Sequence, residues 1–362
     1  MAPLMPTIEN DLNISHGEAG SLFLLISLGY FPGLIGSGFI SCRLTHRKTI
    51  VFSSAALGAA LLFISQCRTL GAVLFGVTLL GLVAGFYLPS GIATLTSLVH
   101  SRHWGKAIAI HELGPNLSFL TAPLIAEALL KWFSWRGVLA LLGVVAILLG
   151  LAFGRYGSGG KTLGEAPRAA SFKALFSSRG FWIMSFLFGL GISGTLGIYT
   201  MLTLFLVVER GLEQNWANML IAISRIACPG MVFLAGWSTG RLGVKKTLLG
   251  VFLLTGLVTV SLGLARGPWL VAVVIVQPLV AACFFPAGFA ALSMAVPSTL
   301  RNVAVSITVP FGFVLGGGVT PLLIGLAGDA GVFAFGIVLI GALIFTGGIL
   351  SRLLTFSRSG TK

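Results

Sequence analysis

Ionisable side chains are rare inside the long apolar runs of this chain, so the few that occur there are the first candidates for chemistry. Arg225 stands in Ile221-Ala-Ile-Ser-Arg225-Ile-Ala-Cys-Pro229-Gly230. A guanidinium held away from bulk water offers two parallel hydrogen bonds to a carboxylate, a nitrate-like anion or a phosphate. The alternative is a structural arginine bonded to backbone carbonyls. His111 and Glu112 form a second pair. A carboxyl beside an imidazole in a dry setting can take up a proton and pass it on; alternatively both lie near an aqueous interface and bond the adjacent loop. The Leu113-Gly114-Pro115-Asn116 run that follows should bend a helix and free carbonyls, which adds Asn116 to the binding candidates. Tyr30, Tyr87, Tyr199 and Gln277 are polar groups within apolar runs, placed either to line a cavity or to pack between helices.

Other constellations carry no chemistry. Gly154-Arg-Tyr-Gly-Ser-Gly-Gly160-Lys161-Thr162 looks like a phosphate-binding loop, but that pattern needs glycine at 155, which is Arg, and a strand before it. Residues 155–179 read instead as a basic, flexible linker. His100 and His103 have no further clustered ligand, so no metal site is expected. The four cysteines, Cys42, Cys67, Cys228 and Cys283, are scattered and read as reduced packing residues. No serine, cysteine or paired-carboxylate arrangement supports catalysis, so neither an enzyme nor a cofactor is expected.

The elements that must position these residues follow from composition. The chain of 362 residues is 56% hydrophobic and only 9% charged, against about 25% charged residues in soluble domains. Eleven apolar runs cover approximately 20–42, 48–67, 70–94, 106–130, 135–154, 180–208, 216–240, 246–265, 268–293, 302–327 and 331–354. Runs of about 20 residues cross a hydrocarbon core as helices. The alternating ten-residue pattern of a membrane barrel is absent. The fold class is therefore all-α and membrane-spanning. Arg225 lies about fifteen residues from the next loop, near the bilayer centre at ~1.5 Å per residue. An unpaired arginine there costs at least ~2.5 kcal/mol, so it must face protein or a partner.

The net charge of +14 is distributed in a way that argues against nucleic acid as a partner. With alternate loops on opposite sides and the 43–48 loop in the cytoplasm, most Lys and Arg residues fall on the cytoplasmic side. The opposite side holds only Arg68, Lys131, Arg136, Arg210 and Arg266. This asymmetry sets the orientation, with the amino terminus outside and the carboxyl terminus inside, in a cell (inner) membrane.

The chain also repeats itself. Gly38, Arg43, Arg47 and Lys48 follow one apolar run as Gly236, Arg241, Gly243, Lys245 and Lys246 follow another, 198 residues later. Pro89-Ser-Gly91-Ile-Ala93 returns as Pro286-Ala-Gly288-Phe-Ala290 after 197 residues, and Pro123 as Pro321 after 198. A constant offset means one membrane unit built twice. Two bundles are expected, 1–154 and 180–362, on either side of the 155–179 linker. A second half of six helices implies a first half of six, of which five are visible. The segment from Met1 to Leu12 reads as the outer end of a first helix, and the chain is expected to be truncated at its front. Gly38 and Gly236 should let helices approach closely near their ends, with the adjacent cations meeting helix dipoles and lipid phosphates; setting topology alone is the other role open to these charges.

The basic loop after the second helix of each half, the Pro-Gly run in the fourth and the Trp135-Arg136 pair together resemble the major facilitator superfamily. That resemblance implies two six-helix bundles moving by alternating access around a midplane site, with 11 helices here instead of 12. The family's loop pattern runs roughly Gly-x-Leu-Ala-Asp-Arg-x-Gly-Arg-Lys. Cys42 stands at its Asp and Thr45 at its second Gly, while Gly240 stands at the Asp of the second copy, which implies weakened gate locks. Val77 precedes Gly81 where the family often has Arg. The implied function is secondary transport of a small solute, an organic or inorganic anion held by Arg225, with His111 and Glu112 as proton-linked candidates. The partners implied are that solute, a coupled proton and the lipid bilayer, with a monomer as the oligomeric state. Efflux of lipophilic compounds and a non-transporting sensor or remnant are the alternatives.

Overall fold

The computed structural model describes residues 1–100, 103–164, 175–296 and 301–354, with the side chains of residues 104–106, 109, 112, 301 and 302 outside that description. Among the described residues a short helix α1 (Met5–Leu12) precedes eleven long ones. These are α2 (His16–Ser41), α3 (His46–Gln66), α4 (Leu70–Leu98), α6 (Trp135–Tyr156), α7 (Arg179–Val208), α8 (Gln214–Leu242), α9 (Val244–Leu264), α10 (Gly267–Ala295), α11 (Val303–Asp329) and α12 (Phe333–Ser351), with α5 (Trp104–Leu130) between α4 and α6. Each expected apolar run coincides with one of them. Among the described residues the only β feature is an isolated antiparallel bridge between Thr45 and Leu163.

Contacts divide the chain into two compact units. One holds Met1–Pro6, Ser15–Gly20 and Arg168–Lys362, and the other holds Thr7–Ile14 and Ser21–Pro167. The amino-terminal segment is shared between them. Its first residues pack on α7, and Gln214 Nε2 and Asn218 Nδ2 of α8 donate to the Pro3 carbonyl at 3.2 and 3.3 Å. Asn218 is itself fixed by Thr203 Oγ1, 2.9 Å from its Oδ1. In the other unit Arg136 at the start of α6 donates to Asp11, and its Nε and Nη2 reach the Cys67 carbonyl that ends α3, at 3.4 and 3.2 Å. One guanidinium thus joins three helix ends.

Each unit has one dominant helix pair, α3 with α6 and α9 with α12, and glycine is why. A Cβ on Gly143 would sit 2.8 Å from the Gly58 carbonyl, and one on Gly341 would sit 2.6 Å from the Val260 nitrogen and 3.0 Å from the Gly256 carbonyl. Gly58 and Gly256 are 198 residues apart, as are Gly143 and Gly341. In lipid, where burial of apolar surface drives nothing, backbone-to-backbone contact across small residues is what holds helices together. The α2–α4 crossing is built on Gly29, Gly33, Gly81 and Gly85, whereas nothing lies within 4 Å of a Cβ on Gly230 of α8.

Proline explains the breaks. α4 is interrupted at Phe86 and α10 at Cys283. Pro89 and Pro286, three residues on, have no N–H to bond the carbonyl four back, and their rings crowd it. At the first break Ser37 Oγ donates to the Phe86 carbonyl at 2.9 Å and Ser53 Oγ to Val83 at 2.6 Å. α5, by contrast, passes Pro115 and Pro123 without interruption, so the expected disruption at Pro115 leaves the helix continuous.

The start of the expected linker is not loose chain. Residues 160–164 hydrogen-bond to residues 41–47, which corrects the flexible reading for that stretch.

Two predictions follow from these contacts. Gly256→Val should lower thermal stability by about 1–3 kcal/mol or more through overpacking, whereas Gly71→Ala, with open space around it, should not; scanning fluorimetry on the purified protein reads both. The Asp11 carboxyl is held below its ordinary range, first by the Arg136 hydrogen bond. Its stabilisation is therefore complete above the usual carboxylate pKa of about 4 and lost as pH falls through the lowered value. The melting-temperature gap between wild type and Asp11→Asn should be present at pH 7 and close on acidification.

Candidate functional site

The polar centre of the carboxyl-terminal unit is organised by a widened turn. Within α7, residues Ser193–Gly197 adopt a π-type turn, and Phe313–Val319 do so in α11. Such turns move hydrogen bonds from the fourth to the fifth residue and leave carbonyls available to other donors. Gln277 Nε2 donates to the Gly194 carbonyl at 2.8 Å and to Thr259 Oγ1 at 3.2 Å. Arg225 Nη2 reaches the next carbonyl, Thr195, over a long 3.4 Å, and its Cζ lies 4.9 Å from the centre of the Tyr199 ring. Ser193 Oγ and Thr320 Oγ1 are 2.8 Å apart beside them.

Glycine makes that arrangement sterically possible. A Cβ on Gly316 would lie 2.5 Å from both the Gly189 carbonyl and the Ser193 nitrogen, and one on Gly197 would collide with the Gly316 carbonyl. The Gly189-Leu-Gly191-Ile-Ser-Gly194-Thr-Leu-Gly197 spacing and the Gly316-Gly-Gly318 run are the signals from which this crossing could have been found.

Arg225 occupies a break in α8, whose helical pieces are Gln214–Ser224 and Cys228–Leu242. Pro229 cannot bond the Arg225 carbonyl, and the Cys228 N–H takes it at 3.2 Å instead. The residue is only 8% exposed, so the interior placement expected for a mid-span arginine is realised, together with the contact to a backbone carbonyl. Arg225, Tyr199 and Gln277 thus converge on one turn of α7. Tyr199 and Gln277 are buried in the bundle.

In the amino-terminal unit Tyr87 and His111 come together. The phenol oxygen and His111 Nε2 are 3.1 Å apart, and the rings stack at 5.9 Å with 13° between their planes. Both border a cavity of about 690 Å³ whose walls include Leu57, Leu95, Leu149 and Phe153. Asn116 is exposed further along α5, and the side chain of Glu112 lies outside the described residues. Tyr30 is half-buried on α2 at the crossing with α4, where its carbonyl would be 2.7 Å from a Cβ on Gly85.

The two loop motifs differ more than their sequences do. In the first, Arg47 Nη2 donates to the Gly154 carbonyl at 3.0 Å, the Gly38 carbonyl accepts from Cys42 N at 3.1 Å, and Arg43 and Lys48 are exposed. In the second, Gly243 ends α8 at a φ of +85°, which suits glycine. Arg241 lies 5.3 Å above the Trp237 ring, and Lys245 is exposed. The close approach expected at Gly236 is not found, since nothing lies within 4 Å of a Cβ there; the tight crossings fall at Gly256 and Gly341 instead.

A polar contact outside the expected set lies at the other end of α2. Ser15 and Glu18 form a reciprocal capping box, Ser15 N to Glu18 Oε2 at 2.9 Å and Glu18 N to Ser15 Oγ at 3.2 Å. Asp329 adds to it, accepting from Ser15 Oγ at 2.8 Å, His16 N at 2.7 Å and Gly17 N at 3.0 Å. The Ser-x-x-Glu spacing was legible; a carboxylate some three hundred residues away was not.

The fold and the paired loop motifs belong to a class of multi-pass membrane proteins, and comparison with known proteins identifies the class. The model of the Major Facilitator Superfamily matches residues 1–268, and the chain belongs to that family of transporters. It is 28% identical over 156 residues to the uncharacterized transporter YgaY of Escherichia coli O157:H7, covering 42% of this chain and 39% of YgaY, so the match spans about two fifths of that relative. A longer match, 23% identical over 364 residues and covering 91% and 81% of the two chains, is to "Probable 4-methylmuconolactone transporter" of Cupriavidus pinatubonensis. Among solved structures, a bacterial homolog of the human lysosomal transporter Spinster, crystallised inward-facing and unoccupied, superposes with a TM-score of 0.82 at 14% identity, covering 99% of this chain and 94% of that one. That likeness shows the fold.

Gln277→Leu should leave the Gly194 carbonyl without its side-chain donor inside the bundle. A loss of roughly 0.6–2 kcal/mol is expected, read as a lower melting temperature, with Thr259→Val producing a smaller shift.

Proposed function

We propose that this protein is a secondary active transporter of small organic anions, working by alternating access as a monomer in the cell's inner or plasma membrane. The observation that carries the anion reading is Arg225, a guanidinium buried at a mid-span helix break, resting on Tyr199 and touching a backbone carbonyl at a long 3.4 Å. A guanidinium there can offer a carboxylate two parallel, charge-assisted hydrogen bonds. The relative named for 4-methylmuconolactone, a small organic solute, agrees in size class. In this reading the Tyr87–His111 pair carries the coupled proton, since imidazole is the side chain whose charge changes near neutral pH, and Tyr30 and Asn116 contribute to solute contact. The excess of Lys and Arg on alternate loops supports a cytoplasmic position for the α2–α3 turn.

Thermal shift of the purified protein against a panel of small carboxylates and inorganic anions tests this. A binding anion at about 100 times its Kd stabilises by roughly 2.7 kcal/mol, and that shift should vanish in Arg225→Ala while the unliganded variant still unfolds cooperatively. A shift by lipophilic cations alone would overturn the anion reading in favour of efflux; no shift with either set would favour a non-transporting role.

A further inference from the structure

The stretch between α6 and α7 opens with Gly157-Ser-Gly-Gly-Lys-Thr-Leu-Gly164, and this strap is pinned to the turn between α2 and α3. The Arg47 N–H donates to the Gly160 carbonyl at 2.7 Å, the His46 N–H to Thr162 at 3.1 Å, and the Gly164 N–H to Ser41 at 2.9 Å. Thr45 and Leu163 form the antiparallel bridge between them, and Arg47 Nη2 adds its bond to the Gly154 carbonyl where α6 ends.

The identity of the donors gives these bonds their meaning. Thr45 is the N-cap of α3, so His46, Arg47 and Lys48 are its first turn, whose N–H groups have no partner inside the helix. Lys48 N is taken by Thr45 Oγ1 at 3.4 Å. The other two are satisfied only by the strap's carbonyls among the bonds described. The strap is also shaped for the place it occupies. Gly159 and Gly160 have φ of +77° and +65°, the left-handed region that suits glycine. A Cβ on Gly160 would lie 2.5 Å from Thr94 Oγ1 and 2.9 Å from Arg47 N, and one on Gly164 would collide with Ser41 Oγ.

We propose that residues 157–164 are a latch: they complete the cap of α3 that Thr45 begins and hold the α2–α3 turn, so that this turn changes shape only when the strap leaves. Because the strap is the leading part of the connection from α6 to α7, displacement of that connection uncaps α3. Holding the turn is a role for the connection beyond tethering two bundles, and it is independent of which solute is carried.

Hydrogen exchange resolved to single amides, on the wild-type protein in nanodiscs, tests the capping directly. The His46 and Arg47 amides should exchange about 100-fold or more slowly than unprotected peptide; exchange at the unprotected rate overturns the proposal. Gly164→Val should speed both amides by about tenfold or more and raise the rate at which a water-soluble maleimide labels Cys42, the thiol in this turn, while Gly71→Ala leaves both unchanged. A Gly164→Val protein with wild-type thermal unfolding and unchanged rates at 42, 46 and 47 would equally overturn it. If that variant does not fold, the wild-type exchange still decides.

Discussion

Every backbone N–H and C=O in this molecule that lies in or near the hydrocarbon layer must find a partner within the protein, because lipid offers none. Continuous helix meets that demand by itself. The points of interest are the places where helix starts, breaks or widens, and at several of them a side chain or a distant piece of chain supplies the missing partner. Asp329 and the Ser15–Glu18 box cap α2, and the strap caps α3. Ser37 and Ser53 close the break in α4, and Gln277 and Arg225 reach the widened turn of α7. The polar residues of the chain are concentrated where the backbone needs them, which is why so few suffice.

The same economy bears on function. A polar side chain inside a membrane bundle is drawn to the backbone groups that lipid leaves without a partner. The Arg225 contact is long and made by a charged donor to a neutral carbonyl, whereas the Gln277 contact is short and bidentate with Thr259. Both reach carbonyls of the widened turn of α7. Residues that look alike in sequence, as polar islands in apolar runs, thus differ in the backbone contacts they make.

The internal duplication shows how much of this is architectural and how much is local. Glycines at 58 and 256, and at 143 and 341, build matched crossings in both units, and Pro89 and Pro286 build matched breaks. The loop motifs repeat in sequence as well, and the first is joined to the strap through Thr45, His46 and Arg47. Repetition carries what two helices need in order to cross, while the partner of the first turn is a passing piece of chain.

Sequence alone determined the class, the eleven spans and their order, and the family, because hydrophobic run length and the repeat are one-dimensional signals. It also marked Arg225 as an interior residue, since a mid-span charge has nowhere else to go, and it singled out Tyr87 and His111 without showing that they touch. What only the tertiary structure decided are pairings across long separations: Asp329 with the start of α2, the strap with the α2–α3 turn, Gln277 with a carbonyl of α7, Arg136 with Asp11 and the end of α3. None of these is encoded by spacing, because in each a backbone N–H or C=O left open where a helix starts, ends or widens takes its partner from whatever polar group the packing of other helices brings within hydrogen-bond reach.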